Sequence, residues 1–215
     1  DKFSYYDWPT TIELVRTLQP GAMLFSDAGP DVRWVGNEHG FAYETTWSNL
    51  MRDSVYAGMP DFDRWASGQE NGTHWVPAES DVSIRPGWYY HAYEDHKVKT
   101  LPELMEIYYK SIGQNSSLLI NFPVDTRGLI HEKDQEAILK MAAKVKEDFA
   151  LNLAKDASFT ASTDRGKGYT ADLLNDGDFN TYWTTPDGQL QASVEMDFGK
   201  TVSFNRLLIQ EFVNL

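Results

Sequence analysis

The feature that most constrains this chain is the order of its apolar runs. Ile12, Val15 and Leu18 share one helical face, and Pro20-Gly21 closes that helix, read as Thr11 to Gln19. Ala22-Met23-Leu24-Phe25-Ser26 follows as a short apolar run bounded by turn signals, the mark of a buried parallel strand. A long aromatic and polar stretch, roughly 27 to 74, leads to a second buried run at Trp75-Val76-Pro77-Ala78-Glu79. After a further loop from Ser80 to Thr100, Leu101, Leu104, Met105, Tyr108 and Ile112 mark a helix that Gly113-Gln114-Asn115 breaks. Ser117 to Phe122 reads as a strand, and residues 131 to 149 as a last helix with Ile138, Met141, Ala142, Val145 and Phe149 on one face. Strands alternating with helices imply a parallel sheet. Long loops fall after the strands and short turns before them, as in a (β/α)8 barrel, whose post-strand loops build the active site. Only about three strands are legible where a closed barrel needs eight. The chain is therefore expected to be the C-terminal part of a (β/α)8-type barrel, a segment of a longer protein.

The text changes near residue 150. Helix formers give way to Ser, Thr, Asp and Gly and to alternating runs such as Ser193 to Phe198, with a further expected strand at Asn205 to Gln210. That is the writing of an antiparallel β-sandwich. The expected organisation is α/β: barrel residues 1–150, then the start of a truncated sandwich over 151–215.

Composition removes several functions. There is no cysteine, which rules out disulfides, thiolate chemistry and Cys-based zinc sites. A net charge of −13 opposes binding to a phosphate backbone, so nucleic acid is not an expected partner. No apolar run approaches the ~18 residues of a membrane span. The 7 Trp and 11 Tyr are more than a core of this size needs, and many stand beside Gly, Pro, Asn and Asp, where aromatic faces serve as binding platforms.

Carboxylates cluster in the same loop text: Asp27, Asp31, Glu38, Glu44 and Glu79. Glycosidic cleavage needs two carboxyl groups across the scissile bond, one to protonate the leaving oxygen and one to act as nucleophile or to activate water. Trp34, Trp47, Trp65, Trp75 and Trp88 supply indole faces on which the C–H faces of sugars pack. Taken singly, each of these acids reads first as an ordinary solvated loop residue, and His39 and His91 read at least as readily as exposed loop histidines.

Three segments go further. Ser26-Asp27-Ala28-Gly29-Pro30-Asp31-Val32-Arg33-Trp34-Val35-Gly36-Asn37-Glu38, then Pro77-Ala78-Glu79-Ser80-Asp81-Val82-Ser83-Ile84-Arg85-Pro86-Gly87-Trp88-Tyr89-Tyr90-His91, then Gly113 to Pro123 with Arg127-Gly128-Leu129-Ile130, resemble a glycoside hydrolase family 29 α-L-fucosidase of the subgroup preferring branched α-1,3/4-fucosides. The resemblance covers residues 1 to about 150. It implies a retaining exo-acting enzyme that removes terminal fucose from fucosylated oligosaccharides or glycoconjugates, works without a catalytic cofactor, and is secreted or periplasmic. Glu38 matches the acid/base. Arg33 matches an arginine that contacts the fucose ring, and Trp88 an aromatic lining the fucose pocket. Glu79 matches a second carboxyl position, the runner-up for acid/base and a further substrate contact. The family's nucleophile lies in a Trp-Phe-Asp-Gly type strand that this text lacks, so no nucleophile is assigned and this segment alone is expected to be inactive.

Asp156 to Ser162 followed by Leu174-Asn175-Asp176-Gly177-Asp178-Phe179-Asn180-Thr181-Tyr182-Trp183 resembles the start of a galactose-binding-like, discoidin-type sandwich. Such domains often hold a structural calcium, for which Asp176, Asp178 and Thr181 offer hard oxygens. An Asx-rich turn without an ion is the competing reading. As a function of a different class, the chain would serve as a carbohydrate-binding or structural module attached to another barrel glycosidase.

Overall fold

The computed structural model describes residues 5–27, 29–52, 55–56, 59 and 65–212. It divides into two compact units, residues 1–145 and 146–215, a boundary five residues earlier than the change in sequence character suggests.

Unit 1 is built on a four-stranded sheet. Helix α1 (Trp8–Leu18) starts three residues earlier than expected because Asp7 caps it, accepting from Thr10 N–H, with Pro9 in its first turn. Strand β1 is only Phe25–Ser26. The Leu24 carbonyl is turned instead to the N–H groups of Asp31 and Val32. Strand β2 (Val32–Trp34) lies inside the stretch that the sequence presents as loop. Two short strands, β3 (Asn49–Leu50) and β4 (His74–Trp75), pair antiparallel beside it. Strand β5 is Ala78–Ser83, three residues later than the apolar run suggests. Pro77 has no N–H to give to a ladder, so regular pairing begins after it. Helix α2 (Leu101–Ser111) opens with a capping box between Thr100 and Glu103. Strand β6 (Ser116–Asn121) and helix α3 (Glu132–Asp148) complete the order.

The sheet runs β1-β2-β5-β6, and every pair is parallel. Register sorts the side chains into two sets. Ala78, Ser80 and Val82 share a face with Arg33, Leu118 and Ile120. Glu79, Asp81 and Ser83 share the other with Trp34, Leu119 and Asn121. The first face is closed by a core of Val82, Ile84, Leu104, Ile107 and Met141, against which Leu118, Ile120 and Ile138 pack. On the second face Phe25 and Leu119 stand about half exposed. An apolar side chain left on an open sheet face is a surface made for further cover.

Behind β5 sits a buried ion pair. Arg85 Nε donates to both carboxylate oxygens of Asp134 at 3.1 and 2.8 Å, and both side chains are fully buried. Arg85 Nη1 donates to Asp95 Oδ1 at 2.9 Å, and the guanidinium lies 4.7 Å from the centre of the Tyr90 ring. The pair pins the loop after β5 to the first turn of α3.

In unit 2 the described residues form one two-stranded antiparallel sheet, β7 (Ser158–Ala161) with β8 (Val194–Asp197). Asn175 Nδ2 ties the turn before β7 together by donating to the carbonyls of Ala154, Lys155 and Ala157. The strand expected at Asn205 to Gln210 is not formed: among the described residues no ladder partner lies alongside it, and Leu207, Leu208 and Ile209 are exposed. A strand without a neighbour has no partner for its N–H and C=O groups.

Replacing Asp134 by Ala leaves buried Arg85 with only its partly exposed Asp95 partner and unpairs Nε, and is expected to destabilise unit 1 by up to about 3–5 kcal/mol. The apolar double replacement Arg85→Met with Asp134→Leu is expected to recover most of that loss. Urea denaturation of the three proteins measures it, and a double variant as unstable as Asp134→Ala contradicts the uncompensated-charge account.

Candidate active site

The site is assembled at the C-terminal ends of β2 and β5. After Trp34, Val35 is buried and its N–H continues the ladder to the Glu79 carbonyl at 3.0 Å. The chain then turns through Gly36-Asn37-Glu38-His39-Gly40. Asn37 braces the turn from within, accepting from His39 N–H at 3.0 Å and donating to the Phe41 carbonyl at 2.9 Å. Gly40 has φ 77° and lies so close to the core that an added Cβ would meet Ile107 at 2.9 Å and Val82 at 3.0 Å. Only glycine fits there, and its close approach seats the turn on the sheet. The Glu38 side chain emerges exposed at the crest.

The opposing wall is the loop after β5. Ser83 Oγ donates to the Gly87 carbonyl at 2.7 Å, and Lys99 Nζ donates to the Ser83 carbonyl at 2.7 Å. The loop delivers Trp88, whose indole N–H donates to Glu38 Oε2 at 2.9 Å. Fifty residues apart in sequence, the two meet at a cleft of about 350 Å³ that Phe41, Val82, Ile107, Lys99 and Glu103 also line. His39 also lines this cleft. His91 does not: it is exposed and stacks on Tyr93 at 5.2 Å.

Glu79 is elsewhere. It is the second residue of β5, at the strand's beginning, and it lines a separate cleft of about 430 Å³ with Trp75, Asn115 and Ser117. The apolar run from Trp75 ends at Glu79, whereas the strand itself begins only at Ala78. Between the two acids stands Asp81, which accepts from the Trp34 indole at 2.5 Å. Burial holds the Asp81 carboxyl above its usual range and the nearby Glu38 charge adds to this, while the Trp34 bond opposes it. Glu79 is raised as well, by burial first and by Asp81 second. Neither Asp81 nor Ser83 was singled out in the sequence. Their signal was the period of two that links them to Glu79 once β5 begins at Ala78.

Arg33 does not join the residues lining the Glu38 cleft: it is fully buried, on the sheet face away from Glu79 and Asp81. Nη1 donates to the Val76 carbonyl and Nη2 to the Trp47 carbonyl, both at 2.6 Å, and Nε donates to the Ala66 carbonyl at 3.3 Å. Burial pushes its guanidinium down to about 10. The residue is a strut between β2 and the segments around β3 and β4, satisfying carbonyls that would otherwise be orphaned. Asp31 is likewise spoken for, by the Arg16 guanidinium and the Leu24 N–H. Asp27 is half-buried and Glu44 is exposed.

In unit 2 the calcium candidates face one another. Thr181 Oγ1 donates to Asp176 Oδ2 at 2.6 Å, and the carboxylates of Asp176 and Asp178 accept from the N–H groups of Asp178 and Asn180 at 2.9 Å each. These are the bonds of an Asx turn. Two carboxylates and one hydroxyl fall short of the six to eight oxygens calcium takes, and among the described residues no group of three acidic, His or Cys side chains is placed to hold a metal. The side chains present do not make that site by themselves. No helix among the described residues is long and apolar enough to cross a membrane.

Comparison with known proteins gives a consistent answer. The α-L-fucosidase family profile matches residues 1–148. Alpha-L-fucosidase 1 of Arabidopsis thaliana is 37% identical over 219 residues, covering 100% of this chain and 43% of that protein. A GH29 fucosidase of Ruminococcus gnavus, solved in complex with fucose, is 32% identical with a TM-score of 0.72, over 83% of this chain and 36% of that one. A glycoside hydrolase 29 family member from an unknown rumen bacterium is 43% identical with a TM-score of 0.68, over 76% of this chain and 29% of that one. The chain thus spans less than half the length of each of these relatives.

Two measurements test the placement of side chains. In the intact enzyme, Arg33→Met is expected to cost about 3 kcal/mol or more of stability by leaving buried carbonyls unpaired, with KM of the folded variant unchanged; a raised KM at full stability contradicts it. Asp81→Asn is expected to gain stability relative to the parent as pH rises from about 4 to 7. Because the folded-state value of Asp81 is raised, its ionisation in that interval costs the folded state more than the unfolded one. Urea melts at the two pH values read the difference, and parallel behaviour of the two proteins refutes it.

Proposed function

Because the chain belongs to the α-L-fucosidase family of glycoside hydrolases, we propose that it supplies the acid/base half of a retaining, exo-acting α-L-fucosidase site, with Glu38 as the acid/base. The observation that carries this reading is the Trp88 indole bond to Glu38 Oε2, which fixes an exposed carboxyl group at the C-terminal end of a parallel sheet, over a cleft. In this proposal the sheet is an arc of a (β/α)8 barrel. Its support is the parallel order and a sheet face whose apolar Phe25 and Leu119 stand half exposed. The β7–β8 pair is the beginning of a galactose-binding-like sandwich.

The mechanism is a double displacement. An Asp outside these residues attacks the anomeric carbon of fucose. As the glycosidic C–O bond breaks, Glu38 gives its proton to the leaving oxygen, so the aglycon departs as an alcohol. The resulting carboxylate of Glu38 then takes a proton from water, whose oxygen attacks the anomeric carbon and expels the Asp. Two inversions leave the configuration unchanged and restore both carboxyl groups. The chemistry needs a nucleophile about 5–5.5 Å from Glu38, and no cofactor. Trp88 holds Glu38 through its N–H while its ring faces the sugar. Glu79, one layer deeper, is the runner-up. The substrates are fucosylated oligosaccharides or glycoconjugates carrying α-1,3- or α-1,4-linked terminal fucose, met in a secreted or periplasmic setting. A sugar-binding module is the second reading, favoured by the Tyr169, Tyr182 and Phe212 rings, which lie within 5.2 and 4.1 Å of one another in unit 2.

In the intact enzyme, Glu38→Ala is expected to lower kcat/KM for a fucosylated oligosaccharide by about 10²- to 10⁴-fold. Azide is expected to accelerate the variant on activated aryl fucosides and to yield the α-fucosyl azide. A mild Glu38 effect beside a severe, azide-rescued Glu79→Ala effect moves the acid/base to Glu79. A module instead binds the glycan without releasing fucose, and Glu38→Ala leaves its affinity unchanged.

A further inference from the structure

We infer that Asn121 is a positioning residue for the proton transfer assigned to Glu38, acting through Trp88; the inference rests on the acid/base reading above. Asn121 closes β6, the one polar side chain in the run Leu118-Leu119-Ile120-Asn121-Phe122. It is half-buried on the same face as Ser83. Its side-chain amide donates twice, to Ser83 Oγ and to the Trp88 carbonyl, each at 3.1 Å. Its own carbonyl accepts from Ile84 N–H at 3.1 Å. Asn121 therefore ties the start of the loop at Ser83 to Trp88 within it.

Proton accounting explains why an amide stands here. Ser83 Oγ spends its only hydrogen on the Gly87 carbonyl. Toward Asn121 it can only accept, and so can the Trp88 carbonyl. Two acceptors need one donor with two hydrogens, and the carboxamide nitrogen is that group. An aspartate of the same shape has none to give once ionised. It would set a negative charge against two oxygen acceptors.

The loop depends on such bonds. Gly87 is in open space, with nothing within 4 Å of where a Cβ would stand, so packing does not wedge the tip. Lys99 and Arg85 anchor residues 83 to 85. Farther out, the backbone is held by the Ser83 bond to Gly87 and the Asn121 bond to Trp88, and from Trp88 the indole reaches Glu38. Release of the Trp88 carbonyl lets the indole swing, and Glu38 loses the donor that aims its carboxyl group.

Leaving groups of different acidity separate aiming from mere stability. A sugar leaving group needs its proton in the transition state, whereas a 2,4-dinitrophenolate departs without one. The experiment measures kcat/KM and melting temperature for the intact enzyme and its Asn121→Asp, Asn121→Ala and Glu38→Ala variants, on a fucosylated oligosaccharide and on 2,4-dinitrophenyl fucoside. Both Asn121 variants are expected to lose about tenfold or more on the oligosaccharide and less than about threefold on the aryl fucoside. Glu38→Ala is expected to show the same pattern more deeply, and adding Asn121→Asp to it is expected to change nothing further on the oligosaccharide. Equal losses on both substrates, or no loss, in the Asn121 variants overturn the inference while the Glu38→Ala pattern keeps the acid/base reading intact. A Glu38→Ala variant without leaving-group dependence overturns both.

Discussion

Alternation along one six-residue strand organises everything else. In β5 the side chains of Ala78, Ser80 and Val82 point into the packed layer, where Val82 meets Ile107 and Leu104. Glu79, Asp81 and Ser83 point the other way. The hydrophobic effect fixes this register strongly, because a slip of one residue would put two carboxylates into an apolar core and leave Val82 outside. The position of every polar group on the open face follows from that choice. Ser83 reaches Asn121 and the loop, Asp81 reaches the Trp34 indole, and Glu79 stays near the start of the strand.

Charges in the packed layer are tolerated because most of their hydrogen-bonding groups are engaged. Arg33 spends its guanidinium on three carbonyls, and Arg85 spends Nε on Asp134 and Nη1 on Asp95, while its buried Nη2 has no partner among the described residues. Both lie close in sequence to the candidate site, five residues before Glu38 and three before Trp88. Neither is exposed to meet a substrate. Their contribution is rigidity: one fixes the strand that launches the Glu38 turn, the other fixes the loop that brings Trp88 over it.

Much of this was legible in the residues. Helices α2 and α3 and strand β6 are long enough for their periods to show, and Thr100 with Glu103 and the Gly113 break mark the ends of α2. Glu38 and Trp88 are singled out by the family resemblance, and the fold brings the two within a hydrogen bond. Strand β2 was not legible, because three residues with an arginine in the middle carry no apolar alternation; only its neighbours give Arg33 a buried place. Pro77 hid the true start of β5 inside an apolar run, and that error carried Glu79 to the wrong end of a strand. Asn121 was visible as a residue but not as a clamp, since its partners lie 33 and 38 positions away. In unit 2 the apolar run at 205–210 forms no strand, because a ladder needs a partner as well as a pattern.

The central claim is that Glu38, oriented by Trp88, is the carboxyl group that faces the glycosidic oxygen. A crystal structure of the intact enzyme with fucose bound tests it most directly. The account predicts the Glu38 carboxyl within hydrogen-bonding distance of the anomeric oxygen, the Trp88 indole still donating to it, and the fucose carbon skeleton on the side of the Trp88 ring. A structure in which Glu79 approaches that oxygen, with Glu38 turned to solvent, contradicts it.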